Sequence, residues 1–214
     1  MDSPIEKSSS RLEVRGLSGS VFRDVSLSLA AGECVALTGP SGSGKSVLLR
    51  AIVDLDPNAG EVLLDGESRA GFTPSAWRRA LALVPAEPAW WAERVVEHFS
   101  HGAEPDLPEL GLPAEALDWE VARCSSGERQ RLALLRSLAL APRVLLLDEP
   151  TANLDADSRG RVETLVDKFR GEGGAVLWVT HDPEQALRVA GRRLELAKGG
   201  LSPADVETEG QAWA

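Results

Sequence analysis

Gly39-Pro40-Ser41-Gly42-Ser43-Gly44-Lys45-Ser46 follows one apolar run, Cys34-Val35-Ala36-Leu37, and leads into another, Val47 to Val53. This is the strand–loop–helix setting of a G-x-x-x-x-G-K-[ST] phosphate loop. Chemistry explains the residue types. Glycines permit positive φ and remove side chains, so backbone N–H groups converge on phosphate oxygens. A helix starting near Lys45 points its partial positive end at the same anion. Lys45 brings a charge suited to β- and γ-phosphates, and the Ser46 hydroxyl is suited to Mg²⁺.

Outward from this loop, strand and helix patterns alternate. On the N-terminal side, Leu12 to Arg15 and Val25 to Leu29 alternate apolar and polar residues around a turn at Gly16–Ser20. They read as two half-buried antiparallel strands. On the other side, Glu61–Gly66 and Leu81–Val84 read as strands, with a short helix at Ser75–Ala80 between them. Val144-Leu145-Leu146-Leu147 and Ala175–Val179 are apolar throughout, the mark of parallel strands buried on both faces. Helices are predicted over Arg129–Leu140, around Val162–Phe169 and over Glu184–Ala190, and Arg193–Ala197 reads as an edge strand. The pattern predicts an α/β fold, with a mainly parallel sheet and sites at the carboxyl ends of its strands. Residues 92–122, dense in Pro, Glu and Leu after a helical Ala92–Phe99, read as a small inserted lobe. Residues 1–10 and the acidic segment from 203 to 214 read as flexible tails.

Composition narrows the function classes. The chain has 214 residues, 43% hydrophobic and 26% charged, so one domain with a full core is expected. A formal charge of −10 argues against nucleic acid as a partner, because phosphate backbones reward clustered Lys and Arg. No apolar run nears the ~18 residues that span a bilayer. Cys34 and Cys124 lie far apart without metal-ligand spacing, which fits a reducing cytosol.

Three further clusters carry chemistry. Val144 to Pro150 is an apolar strand ending in Asp148-Glu149, two carboxylates delivered beside the phosphate loop. Asp148 suits Mg²⁺, and Glu149 suits a base acting on the attacking water. Val179-Thr180-His181 ends another strand of the same sheet, so His181 is expected near the γ-phosphate. In Cys124-Ser125-Ser126-Gly127-Glu128, the Ser125/Glu128 spacing is a capping box for the following helix. Such a helix start also suits a phosphate presented by another chain.

In this order, a phosphate loop, S-x-G-E-x-Q-R, L-L-L-D-E-P-T, N-L-D and T-H-D resemble the nucleotide-binding subunit of an ATP-binding cassette (ABC) transporter. The resemblance runs from about Leu12 to Ala197. It implies a P-loop NTPase core with an antiparallel β subdomain and a small helical subdomain at about 92–140, in a single ABC ATPase domain over 11–200. It implies ATP and Mg²⁺ as ligands, with hydrolysis coupled to transport. It also implies a head-to-tail pair of cassettes, most simply identical, closing on two ATP molecules. Each ATP would touch the phosphate loop of one chain and Ser125, Ser126, Gly127 and Glu128 of the other, with Asp155 in the loop crossing the interface. A separate transmembrane permease is the implied partner, and the only route to the membrane, with the cassette at the inner face of the cell membrane. Val176 to Asp182 resembles the matching segment of short iron-export ABC subunits.

The chain departs from the family pattern at three places. Cys124 and Ser126 replace the Leu and first Gly of the usual L-S-G-G-Q. Ala86 stands where a Gln usually touches the metal, with Glu87 beside it. The usual adenine-stacking aromatic is missing; Leu17 is nearest its place and Phe22 follows. The altered signature and Ala86 keep in view a catalytically weakened or regulatory cassette in a heterodimer. The other alternative is a soluble ABC-type ATPase acting on nucleic acid or the ribosome, against which the acidic charge argues. Trp90-Trp91 falls where the family docks its membrane subunit.

Overall fold

The computed structural model describes residues 10–99 and 105–204. Along the chain come β1 (Ser10–Ser18), β2 (Val25–Ala30), β3 (Cys34–Thr38), α1 (Lys45–Ile52), β4 (Ala59–Leu64) and β5 (Glu67–Ser68). Then follow α2 (Pro74–Ala80), β6 (Leu81–Val84), α3 (Ser126–Leu138), β7 (Val144–Asp148) and α4 (Ala156–Gly171). The chain ends with β8 (Ala175–Val179), α5 (Pro183–Val189), β9 (Arg192–Ala197) and β10 (Gly200–Pro203).

Two sheets form. An antiparallel sheet has the order β2-β1-β4-β5, and a six-stranded sheet has the order β10-β9-β3-β8-β7-β6. In the second sheet β9, β3, β8, β7 and β6 are parallel, and only β10 runs antiparallel. Its strands bury both faces, and side chains sort by strand period. Val35 and Leu37, Val144 and Leu146, and Leu177 and Val179 pack toward α1 and the antiparallel sheet. Leu145, Leu147, Val176 and Trp178 pack on the other face, toward α3 and α4.

The order β3-β8-β7 decides where the chemistry lies. Leu37 pairs with Val179 and Val179 with Asp148, so the ends of three adjacent strands share one row. The loop after β3, the residues after β8 and the end of β7 therefore emerge together.

Four sequence expectations change. First, β1 continues through Gly16, which takes φ 58 at a register shift, so the turn begins after Ser18 rather than at Gly16. Second, β9 is not an edge, since β10 pairs along it to Pro203. Ser10 and Pro203 thus belong to strands; the rest of both expected tails, up to residue 9 and from 205, lies outside the described residues. Third, Ala92–Phe99 holds only a single 3-10 turn, Val95–His98. His98 Nε2 lies 3.3 Å from the Ala92 nitrogen and 3.2 Å from the Ala92 carbonyl oxygen, and it bonds one or the other according to its tautomer, which takes that group from a helical ladder. The inserted lobe continues as 3-10 turns at Pro108–Leu110, Ala114–Asp118 and Val121–Arg123. Pro105, Pro108 and Pro113 lack the N–H an α-helix needs, and Gly111 turns at φ 67. Fourth, α3 begins at Ser126, three residues earlier than expected, because Ser125 caps it.

Candidate functional site

Helix ends show how the site is built. Thr73, Ser125, Asp155 and Asp182 cap α2, α3, α4 and α5 with side-chain oxygens. Helix α1 starts differently. Its N-cap is Gly44 at φ 101, with no side-chain cap and no acidic residue in the first turn. Among the described α-helices, α1 alone keeps its leading N–H groups free for an external anion.

The glycines are there for geometric reasons. At Gly39 (φ 136) a Cβ would lie 2.3 Å from the Leu196 carbonyl, and at Gly44 one would lie 2.7 Å from Val21 Cγ2. Gly42, also at positive φ, faces open space. Ser43 N–H closes the turn on the Pro40 carbonyl at 3.2 Å. The Lys45 ammonium donates to the Gly39 and Pro40 carbonyls at 2.8 and 3.0 Å, so it is held at the mouth of the loop.

A cavity of about 500 Å³ opens over this loop, lined by Gly39, Ser41, Gly42, Gly44, Lys45, Ser46 and Val47 together with Val21, Glu149 and His181. Residues over 100 positions apart thus meet. His181 Nδ1 lies 3.2 Å from Glu149 Oε2. An ionised carboxylate only accepts, so Nδ1 carries the proton in that bond. Glu149 holds φ 48, a conformation unfavourable for a residue with a Cβ, and its N–H donates to the Val179 carbonyl. Asp148 lies beside Ser46, whose hydroxyl bonds its carboxylate, and burial pushes its pKa up.

The remaining predicted residues lie away from this cavity. Ser125 Oγ and the Ser125 N–H both donate to the Glu128 carboxylate, and the Glu128 N–H returns to Ser125 Oγ, completing the capping box. These bonds, the backbone one first, lower the Glu128 pKa. Ser125 and Ser126 are exposed. A Cβ on Gly127 would meet Leu154 Cδ2 at 3.0 Å and the Asn153 carbonyl at 3.3 Å, so packing within the chain already asks for glycine. Asp155 caps α4 by accepting from the Ser158 N–H and hydroxyl at 2.9 Å. Ala86 and Glu87 are exposed and are not among the cavity's lining.

Neither expected stacking candidate is available: Leu17 and Phe22 are 0% and 1% exposed. Val21, 48% exposed, lines the cavity over the phosphate loop, and nothing in the sequence pattern singles it out. Gln185, buried beneath Thr151 and Thr180, was missed as well. On the lobe, Trp91 is 70% exposed and Trp90 half-buried. The His98 ring meets both edge-on, and the Arg136 guanidinium lies 4.6 and 4.9 Å from their ring centres.

The family model described as "ABC transporter" matches residues 22–152. The probable iron export ATP-binding protein FetA of Escherichia coli is 34% identical, over 77% of this chain and 80% of that protein. The lipoprotein-releasing system ATP-binding protein LolD of Maricaulis maris is 40% identical, over 86% and 88%. The aliphatic sulfonates import ATP-binding protein SsuB 2 of Pseudomonas savastanoi is 42% identical, over 85% and 67%. A solved ATP-binding subunit of an ABC transporter superposes with a TM-score of 0.82 at 27% identity, over 92% of this chain and 91% of that one. The ATP-binding cassette MJ0796, solved as a dimer with ADP and Pi, shares the fold at a TM-score of 0.78 and 24% identity, over 90% and 98%. The chain belongs to the ABC transporter family, as one of its ATP-binding, ATP-hydrolysing subunits.

Proposed function

We propose that this chain, as a single ABC ATPase domain over residues 11–200, pairs with a second copy on ATP and drives a separate transmembrane permease. The observation that carries the reading is the meeting of Lys45, Ser46, Glu149 and His181 around one cavity over an uncapped helix start.

In this reading the free amides of Gly39–Ser46 and α1 hold the β- and γ-phosphates. Lys45 exchanges its two neutral carbonyl acceptors for anionic phosphate oxygens. Glu149 accepts a proton from the attacking water, the water oxygen bonds to the γ-phosphorus, and the bridging oxygen leaves with ADP. His181 donates from Nδ1 to Glu149 and keeps that carboxylate turned to the phosphate side. Ser46, exposed at the cavity, and buried Asp148, with Glu149 beside it, offer hard oxygen donors next to each other, which fits Mg²⁺. When bound there, the ion neutralises charge on the phosphates.

Ser125–Glu128 sit on an exposed helix start away from their own chain's cavity, which supports their use on the ATP of a partner copy. Asp155, at the start of α4 just past the Asn153–Leu154 segment that packs on Gly127, is assigned to the same interface. Sedimentation of the chain tests the pairing. It should run as a dimer with ATP in EDTA and as a monomer with ADP. A monomer under both conditions removes the paired-cassette reading.

The chain reaches the membrane through its partner in this reading. No helix among the described residues is long and apolar enough to cross a bilayer. Trp91, braced by Arg136 and His98, offers an exposed aromatic anchor for the permease. The relatives' named cargoes are iron, lipoproteins and sulfonates, yet their identity to this chain stays between 34% and 42%. We therefore assign cargo choice to the permease. Their transport names also favour this role over one on nucleic acid or the ribosome.

Val21 at the cavity wall implies that adenine is held by an aliphatic contact instead of a ring. Val21→Tyr should tighten ATP about 2- to 10-fold, as an aromatic pair adds roughly 0.5–1.5 kcal/mol. Its kcat should stay unchanged, since the γ-phosphate is untouched. Titration with a fluorescent ATP analogue measures the effect, and an unchanged Kd would place the base elsewhere.

A further inference from the structure

Behind the Glu149–His181 pair lies a buried polar knot that the cleavage step does not touch. Gln185, in the first turn of α5, is 3% exposed. Its Oε1 accepts from Thr180 Oγ1 at 2.9 Å. Its Nε2 donates to Thr151 Oγ1 at 2.8 Å and to Glu163 Oε1 at 2.9 Å. Both threonines are 3% exposed. Thr180 directly precedes His181, and Thr151 lies two residues past Glu149. One amide therefore ties together the two loops that carry the pair.

The amide is chemically specific to this spot. The point demands one acceptor toward Thr180 and a donor toward the Glu163 carboxylate, which Gln meets and neither an acid nor an alkyl group does. Glu163 is itself held by Arg188 in a two-pronged pair at 2.7 and 2.8 Å, so it cannot turn away. Helix α5 does not need Gln185 for its start, because Asp182 already caps it and Pro183 follows. Glu149, meanwhile, keeps an unfavourable φ of 48. Such a conformation persists where neighbours hold the backbone in place.

We infer that Gln185 is a positioning residue for hydrolysis: by cross-linking the β7–α4 and β8–α5 loops it sets the placement of Glu149 against His181. This rests on Glu149 acting as the base in the proposed function.

The test uses the full chain. Gln185→Leu should lower kcat on the order of 10²-fold, the loss expected from a misplacement of about 1 Å. Its Kd for ATP, measured in EDTA, should stay at the wild-type value, since Gln185 is remote from the phosphate loop. Gln185→Glu sets two carboxylates against each other and should be as slow. Adding Glu163→Gln to it restores an acid–amide pair across the same gap and should recover most of kcat. Full activity in folded Gln185→Leu, or a double variant no faster than Gln185→Glu alone, overturns the inference. Glu149→Gln measured alongside separates the two claims. If it retains turnover, the base assignment falls and takes this inference with it. If it loses turnover while Gln185→Leu does not, only the positioning role falls.

Discussion

Replacing Glu149 with Gln is expected to lower ATP turnover about 10²–10⁴-fold, the span of a positioned general base, and to leave ATP binding intact. The amide matches the carboxylate in shape and still offers an oxygen to His181 Nδ1, 3.2 Å away, so the local geometry should persist. Glu149 contributes nothing to the cradle of backbone amides, and Lys45 is anchored by the loop's own carbonyls. Binding and chemistry should therefore separate cleanly. Single-turnover hydrolysis and an equilibrium ATP titration on the same preparation make the check. Turnover within a few-fold of wild type would remove Glu149 from the base role, and a parallel loss of ATP affinity would make it a binding residue instead.

What the sequence makes legible, and what it hides, follows from how far apart the cooperating residues lie. The phosphate loop is legible because its glycines sit between two apolar runs, and each glycine answers a local requirement: φ 136 at Gly39, φ 101 at Gly44. The buried strands β7 and β8 are equally plain, since burial on both faces leaves apolar runs ending in Asp148 and ahead of His181. That these ends meet follows from the rule for parallel sheets. The strand order β3-β8-β7 does not, because it is set by long-range pairing. Val21 is hidden for a related reason. It precedes buried Phe22, and only the fold turns it toward Gly44. Gln185 lies in a seven-residue helix too short for periodicity to mark its inner face. In the lobe, Pro105, Pro108 and Pro113 favour tight turns, whereas at Ala92–Phe99, which holds no proline, the contact that replaces the expected helix comes from His98 itself. Gly127 shows the reverse case, a position that looked functional alone and also has a packing reason.

Asp148→Asn should move stability and activity in opposite directions. Asp148 is 7% exposed, and burial raises its pKa above the ordinary 3.8, opposed by the Ser46 hydroxyl and Lys45 and assisted by the charge of Glu149. A carboxyl whose folded value lies above its unfolded value favours folding in its protonated form. That contribution is complete below the unfolded pKa and is lost as pH rises through the folded one. Near neutral pH the ionised group weighs against the fold. Asn is neutral throughout and has the same shape, so the variant should melt higher than wild type in EDTA near neutral pH. The gap should narrow as pH falls toward the carboxylate range, where wild-type Asp148 becomes protonated. Turnover should fall on the order of 10²-fold, since loss of a metal-binding carboxylate removes about 3 kcal/mol of transition-state stabilisation. Calorimetry across pH and steady-state hydrolysis over a Mg²⁺ series read the two effects independently. A lower melting temperature in EDTA would recast Asp148 as a structural acceptor for Ser46, and unchanged turnover at low Mg²⁺ would end its assignment as a metal ligand. Gaining stability while losing activity is the pattern expected of a charge buried for its ligand at the expense of the fold.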